Sequence, residues 1–120
     1  MKYITAVVRR RYVGDIIHTL EREGFSILSA CDASVVADLH DPRDERISFA
    51  YEGYHTRMSR IELLCADNDT ERALRTIESH GHTDHQGDGF ILVWPVERGI
   101  QIQTGEEGVE AFQACKGMAV

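Results

Sequence analysis

Positive charge is what this chain has least of relative to need. Its 120 residues carry 13 Lys and Arg against 20 Asp and Glu, a formal net charge of −7. Wrapping nucleic acid or lying on an anionic membrane needs clustered positive charge, so neither is expected. No apolar run approaches the length of a bilayer span, which excludes insertion by a helix. The opening Met1-Lys2-Tyr3-Ile4-Thr5-Ala6-Val7-Val8 leads into Arg9-Arg10-Arg11. A signal peptide would place its charges before the apolar run, so this segment reads as a strand. Three cysteines (Cys31, Cys65 and Cys115) are an odd number without metal-type spacing, and read as free thiols of a reducing cytoplasm. Hydrolase and zinc-protease motifs and a Walker loop are also missing, so no catalysis is expected.

What is present is a repeat. A strand at Tyr3 to Val8 precedes a helix whose stripe is Val13, Ile16, Ile17 and Leu20, one buried face at i, i+3, i+4, i+7. Gly24 suits the left-handed position that ends a helix. A second strand–helix unit starts near Arg60 to Cys65. Asn68 and Glu71 have the spacing of a capping box, Ala73, Leu74 and Ile77 form the stripe, and Gly81 closes the helix. Ile16, Ile17, Leu20 and Gly24 return 57 residues later as Ala73, Leu74, Ile77 and Gly81.

Each helix is followed by another strand, Ser26 to Cys31 and Phe90 to Val96. The order βαββαβ predicts an α+β, ferredoxin-like domain over residues 1–112: a four-stranded antiparallel sheet with both helices on one face. An extra C-terminal strand is expected at Gly99 to Gln103, and a tail over residues 113–120. A long loop, about residues 32–55, joins the second and third strands, and loops of that size are usually functional. The strands are apolar on both faces, so the face without helices must meet a partner, and a homo-oligomer is expected.

Three constellations stand out. His80, His82 and His85, with Asp84 and Asp88, have spacing that could hold a transition metal or merely form a solvated loop. Asp38, His40 and Asp41 form a weaker metal candidate. Arg9 to Arg11 either contact an anion or form a solvated turn. Glu62 stands between apolar strand neighbours, where a carboxylate is expensive to bury without a partner.

The run Gly87-Asp88-Gly89-Phe90-Ile91-Leu92-Val93-Trp94 with Thr104-Gly105-Glu106 resembles the C-terminal signature of the PII signal-transduction proteins. The N-terminal strand, Gly24, the long loop and Ile61-Glu62-Leu63 extend the resemblance over most of the chain. It implies a cytoplasmic, non-enzymatic homotrimer that binds small molecules in clefts between subunits. Ser29, Glu62 and the backbone at Leu64 would hold adenine, and Gly87, Asp88 and Gly89 would meet phosphate. It implies that the long loop, the T-loop of that family, regulates a membrane transporter or an enzyme, with His40, Arg43, Arg46 and Tyr51 as candidate partner contacts. Family members carry a Lys and two Arg where this chain has Phe90, Gln101 and Gln103. Those cations make charge-assisted phosphate bonds, about twice as strong as neutral ones. AMP or ADP is therefore the expected ligand, with weak or no ATP binding. The family's magnesium-binding glutamine corresponds to about Leu39, so no 2-oxoglutarate binding is expected. Tyr51 lacks the sequence context of the family's modifiable tyrosine. The alternative is a metal-responsive protein on the same trimeric fold, using the loop of His80, His82 and His85.

Overall fold

The computed structural model describes residues 1–36, 46–48, 53–83 and 85–113, with the backbone alone at 46–48, 53–56 and 113. Strands β1 (Lys2–Arg9), β2 (Ile27–Val36), β3 (Arg46–Ser48), β4 (Gly53–Cys65) and β5 (Gly89–Pro95) alternate with α1 (Arg10–Arg22) and α2 (Thr70–Gly81), and a short α3 (Val109–Gln113) follows. The sheet order is β2-β4-β1-β5, every pairing is antiparallel, and β3 pairs with the far end of β4. This is the expected α+β, ferredoxin-like sheet.

Alternation along β1 sorts the two faces. Ile4, Ala6 and Val8 turn toward the helices, where Ile16, Leu20 and Ile77 complete a core of essentially unexposed side chains. Burial of each of the larger ones, such as Ile4, Ile16, Leu20 and Ile77, contributes about 1.5–3 kcal/mol. Tyr3, Thr5 and Val7 occupy the other face, which α1 and α2 leave uncovered. There Val7, Val35 and Met58 form a second, smaller cluster against which Phe90 and Ala33 pack.

Gly24 ends the first repeat at φ 103°, and Phe25 folds back to donate its amide to the Leu20 carbonyl. Gly81 differs from its counterpart. It is the last residue of α2 and is buried close to Ile16 and Val8, so what it provides is room rather than a left-handed turn. The capping box does not form either. A 3₁₀ turn at Asp67–Asp69 absorbs Asn68, and the N-cap of α2 is Asp69 without a side-chain capping bond.

The strands flanking the long loop run further than expected, β2 to Val36 and β4 from Gly53, and pair with each other as a hairpin arm. The C-terminal strand is the reverse case. Among the described residues only Ile100 of this segment bridges, to Glu107, and the chain turns at Gly105, whose amide meets the Gln101 carbonyl at 2.7 Å. Gln101 to Glu106 form a closed turn, and among the described residues no further strand lies beside them. Ile102 is left 95% exposed.

Candidate functional site

The open face of the sheet carries a polar cluster. Ser29 and Thr5 flank Glu62 in the antiparallel register, so all three share that face. The Ser29 hydroxyl donates to Glu62 Oε2 at 2.8 Å, and Arg60 Nε lies 3.5 Å from Oε1. The hydroxyls of Ser29 and then Tyr3 hold the Glu62 carboxyl below its usual range against the opposing effect of burial, and the Arg60 charge assists. Tyr3 is shifted the other way. Burial, and then its bond to the Glu62 carboxylate, push its phenol upward. Glu62 is therefore an ionised acceptor with fixed donors. Thr5 Oγ1 beside it is buried and has no hydrogen-bond partner among the described residues.

A second polar cluster sits where β5 begins. Asp88 accepts the Thr83 amide at 2.6 Å and the Thr83 hydroxyl, and Arg9 Nε at 3.1 Å. Arg9 also donates to the Gln86 carbonyl at 2.9 Å and is only 8% exposed. Burial works to raise the Asp88 pKa, but the two Thr83 bonds and Arg9 together hold it below the usual carboxylate range. Gly87 and Gly89 take φ 96° and 110°. At Gly89 a Cβ would collide with the Val7 carbonyl oxygen, so glycine is required there by both conformation and space. Asp88 thus braces this turn from within, and Arg9 is committed to it.

The remaining expected site residues are scattered. Leu64 is buried, with Gly99 and the Phe112 ring close by. That covering comes from α3, which crosses the expected boundary between domain and tail. Gln101 and Gln103 lie in the adjoining turn. Phe90 packs into the cluster of Val7 and Met58, where its ring makes apolar contact. Along β1, Thr5 pairs with Glu62 and Val8 with Gly89. Three residues at about 3.3 Å each separate the acidic cluster from the glycine turn by about 10 Å. The cavity lined by Asp88 and Gly89 does not reach Glu62.

Among the described residues no three His, Cys, Asp or Glu side chains converge on a metal position. His80 turns its Nδ1 to the Thr76 carbonyl of its own helix, 2.8 Å away, while His82 faces Asp88 at 3.6 Å. His40, Arg43, Tyr51, Asp38, Asp41, Asp84 and Cys115 lie outside the described residues, and Arg46 contributes backbone to β3. Tyr3, Arg60 and Thr83 were not anticipated. Tyr3 was legible from strand alternation, which places it on Glu62's face once β1 and β4 are paired. Thr83 had no signal, because its role depends on how the loop turns back. Among the described residues, no helix is long and apolar enough to cross a membrane.

Residues 1–106 match the family model described as "Nitrogen regulatory protein P-II". A protein of Cereibacter sphaeroides, "Nitrogen regulatory protein P-II", is 31% identical over 111 residues, covering 92% of this chain and 99% of its own. "Nitrogen fixation nifHD region GlnB-like protein 1" of Methanothermobacter marburgensis is 30% identical over 111 residues, covering 91% and 100%. A P-II protein of Azospirillum brasilense reaches 44% identity over a shorter stretch of 53 residues, covering 44% and 47%.

Proposed function

Because this chain belongs to the nitrogen regulatory protein P-II family, a family of signal-transduction regulators and not of enzymes, we propose that it is a trimeric metabolite sensor of the cytoplasm. In this reading it binds an adenine nucleotide or another small anionic metabolite in clefts between subunits. The bound state is passed through the long loop to a protein partner, of which a membrane transporter is the leading class and a regulated enzyme the second.

The observation that carries the reading is the separation on the open face. The Ser29–Glu62 pair offers fixed donor and acceptor atoms for a base edge, and the Gly87–Gly89 turn is braced by Asp88 about 10 Å away. A second copy against this face would join the two ends into one cleft. The exposed apolar side chains of Leu92 and Trp94 support such packing. Phe90, Gln101 and Gln103 leave no cation at the positions where the family neutralises phosphate. The ligand is accordingly AMP or ADP in preference to ATP, and 2-oxoglutarate is not an effector.

Calorimetric titration with AMP, ADP and ATP tests this directly. Affinity falling from AMP to ATP, with hydrogen exchange slowing in residues 37–52 on binding, is the expected result. Absence of heat with every nucleotide, in trimer of verified mass, would overturn it.

A further inference from the structure

Two histidines at the C-terminal end of α2 have no part in the nucleotide reading. His80 and His82 are both exposed, and both line one open recess of about 720 Å³ beside that helix. None of Ser29, Glu62, Gly87 and Gly89 lines it. The recess is therefore separate from the two polar ends of the expected cleft.

Hydrogen bonding fixes which nitrogen each ring offers. His80 Nδ1 lies 2.8 Å from the Thr76 carbonyl oxygen. A carbonyl only accepts, so Nδ1 carries the proton and Nε2 keeps its lone pair. The Ser79 hydroxyl, 3.2 Å from the same nitrogen, helps hold the ring. His82 turns its Nδ1 toward Asp88 Oδ2 at 3.6 Å, which favours the same tautomer. A ring nitrogen turned to a carbonyl or a carboxylate, with the other left to donate its lone pair, is the arrangement that supports metal-bound histidines. The lining also suits a cation. Its acids, Glu23 and Glu78, outnumber its one guanidinium, Arg75, so the recess is net negative around neutral imidazoles. Arg75 Nε in turn leans back on the Glu71 carbonyl at 3.4 Å.

We propose that this recess binds a divalent transition cation of the imidazole-preferring class, Ni²⁺, Cu²⁺ or Zn²⁺, through Nε2 of His80 and Nε2 of His82, with water completing its coordination. Two protein ligands are fewer than the three or four of catalytic and structural zinc sites, so the cation exchanges readily and the fold does not depend on it. Hard cations such as Mg²⁺ prefer oxygen ligands and are not held. Asp88, which faces His82, is also the brace of the Gly87–Gly89 turn, so a single side chain joins this site to that turn.

Titration of the full chain with Ni²⁺, without nucleotide, tests the site, because this paramagnetic ion broadens the amide NMR signals nearest to it. Saturable broadening centred on His80 to Thr83 is expected, with none from Mg²⁺. His80→Gln and His82→Gln should each weaken Ni²⁺ at least about tenfold, the scale seen even for loss of an outer-shell partner. Both side chains are exposed, so the variants keep the fold, which unchanged amide signals elsewhere would verify. His18 and His85 are exposed as well and serve as controls, and His18→Gln and His85→Gln should leave Ni²⁺ affinity unchanged. Broadening centred on His18, Cys31 or His85, or full affinity in either His80→Gln or His82→Gln, overturns the proposal. AMP heat without Ni²⁺ broadening would remove this inference and leave the nucleotide reading standing; the opposite pair of results would do the reverse.

Discussion

Arg9, the last residue of β1, reaches Asp88 just ahead of β5, Nε to Oδ1 3.1 Å, across 79 positions of sequence. The same Asp88 holds the Thr83 amide and hydroxyl, so one carboxylate fixes both ends of the turn that leads into β5. Asp88→Asn removes the charge and part of the acceptor capacity while Arg9 stays buried. A loss of about 1–3 kcal/mol is expected, the cost of under-satisfied buried groups, read from denaturant unfolding. The pH dependence follows from the depressed Asp88 pKa. Its contribution to stability is fully present above the unfolded carboxylate pKa, near 3.9. It disappears as pH falls through the lower folded value. Wild type should therefore lose its advantage over Asp88→Asn in acid and keep it at neutral pH.

Two glycines with left-handed φ should respond very differently to alanine. At Gly89 (φ 110°) the new Cβ would meet the Val7 carbonyl oxygen, a backbone atom paired in the sheet. At Gly105 (φ 75°) nothing lies within 4 Å. Gly105→Ala carries conformational strain alone, about 1–2 kcal/mol. Gly89→Ala must also part β1 from β5, and should cost about 3 kcal/mol or more, the range of severe substitutions. Thermal or denaturant unfolding of the two variants side by side checks the order. Equal losses would mean that β5 can shift to accommodate the methyl group.

The stripe of Ile16 and Leu20 and its repeat at Ala73 and Ile77 were legible because helix period and burial are local properties of sequence. They give the helices, and with the strand alternation of Ile4, Ala6 and Val8 they give the face of the sheet that the helices cover. Gly81 closes α2 as its place in the repeat suggests, but its contact with Ile16 and Val8 is a tertiary cause that no local pattern shows. The turn at Gln101 to Glu106 was misread because Ile-Gln alternation specifies a pleat but cannot supply the neighbouring strand. At the candidate site Ser29 and Glu62 were named with Leu64 through the resemblance alone; that the first two bond to each other is a finding of the structure. Their company of Tyr3 and Arg60 depends on the register between β1, β4 and β2, which no local pattern fixes. Phe90 could be seen to lack charge, yet its place in the cluster with Val7 and Met58 required the sheet to be assembled.

The Tyr3–Glu62 bond makes a spectroscopic prediction. Burial and the Glu62 carboxylate both push the Tyr3 phenol above its ordinary value of about 10. Neutralising the carboxylate in Glu62→Gln removes one of the two causes. The Tyr3 titration should move down in that variant, followed as tyrosinate absorbance and assigned by difference from Tyr3→Phe. Burial remains, so the shift should be partial. A midpoint unchanged between wild type and Glu62→Gln would mean that the hydroxyl points elsewhere in solution.

Leu92 and Trp94 stand two residues apart on β5, half and 44% exposed, with the Trp94 ring tilted against Tyr3 at 4.7 Å between centroids. They sit on the face opposite α1 and α2, beside Tyr3. Exposed large apolar groups gathered on one sheet face lower their free energy by packing on another copy. Leu92→Glu places a carboxylate there, which assembly would have to bury unpaired at a cost of several kcal/mol per site. The same side chain in an isolated chain stays in water and costs little. Sedimentation should accordingly find wild type as a trimer and Leu92→Glu as a folded monomer with unchanged far-ultraviolet circular dichroism. Nucleotide affinity should fall with assembly, since the Ser29–Glu62 pair and the Gly87–Gly89 turn would then lose the copy that joins them. A Leu92→Glu trimer of wild-type stability would place the subunit contact on another surface, and the cleft with it.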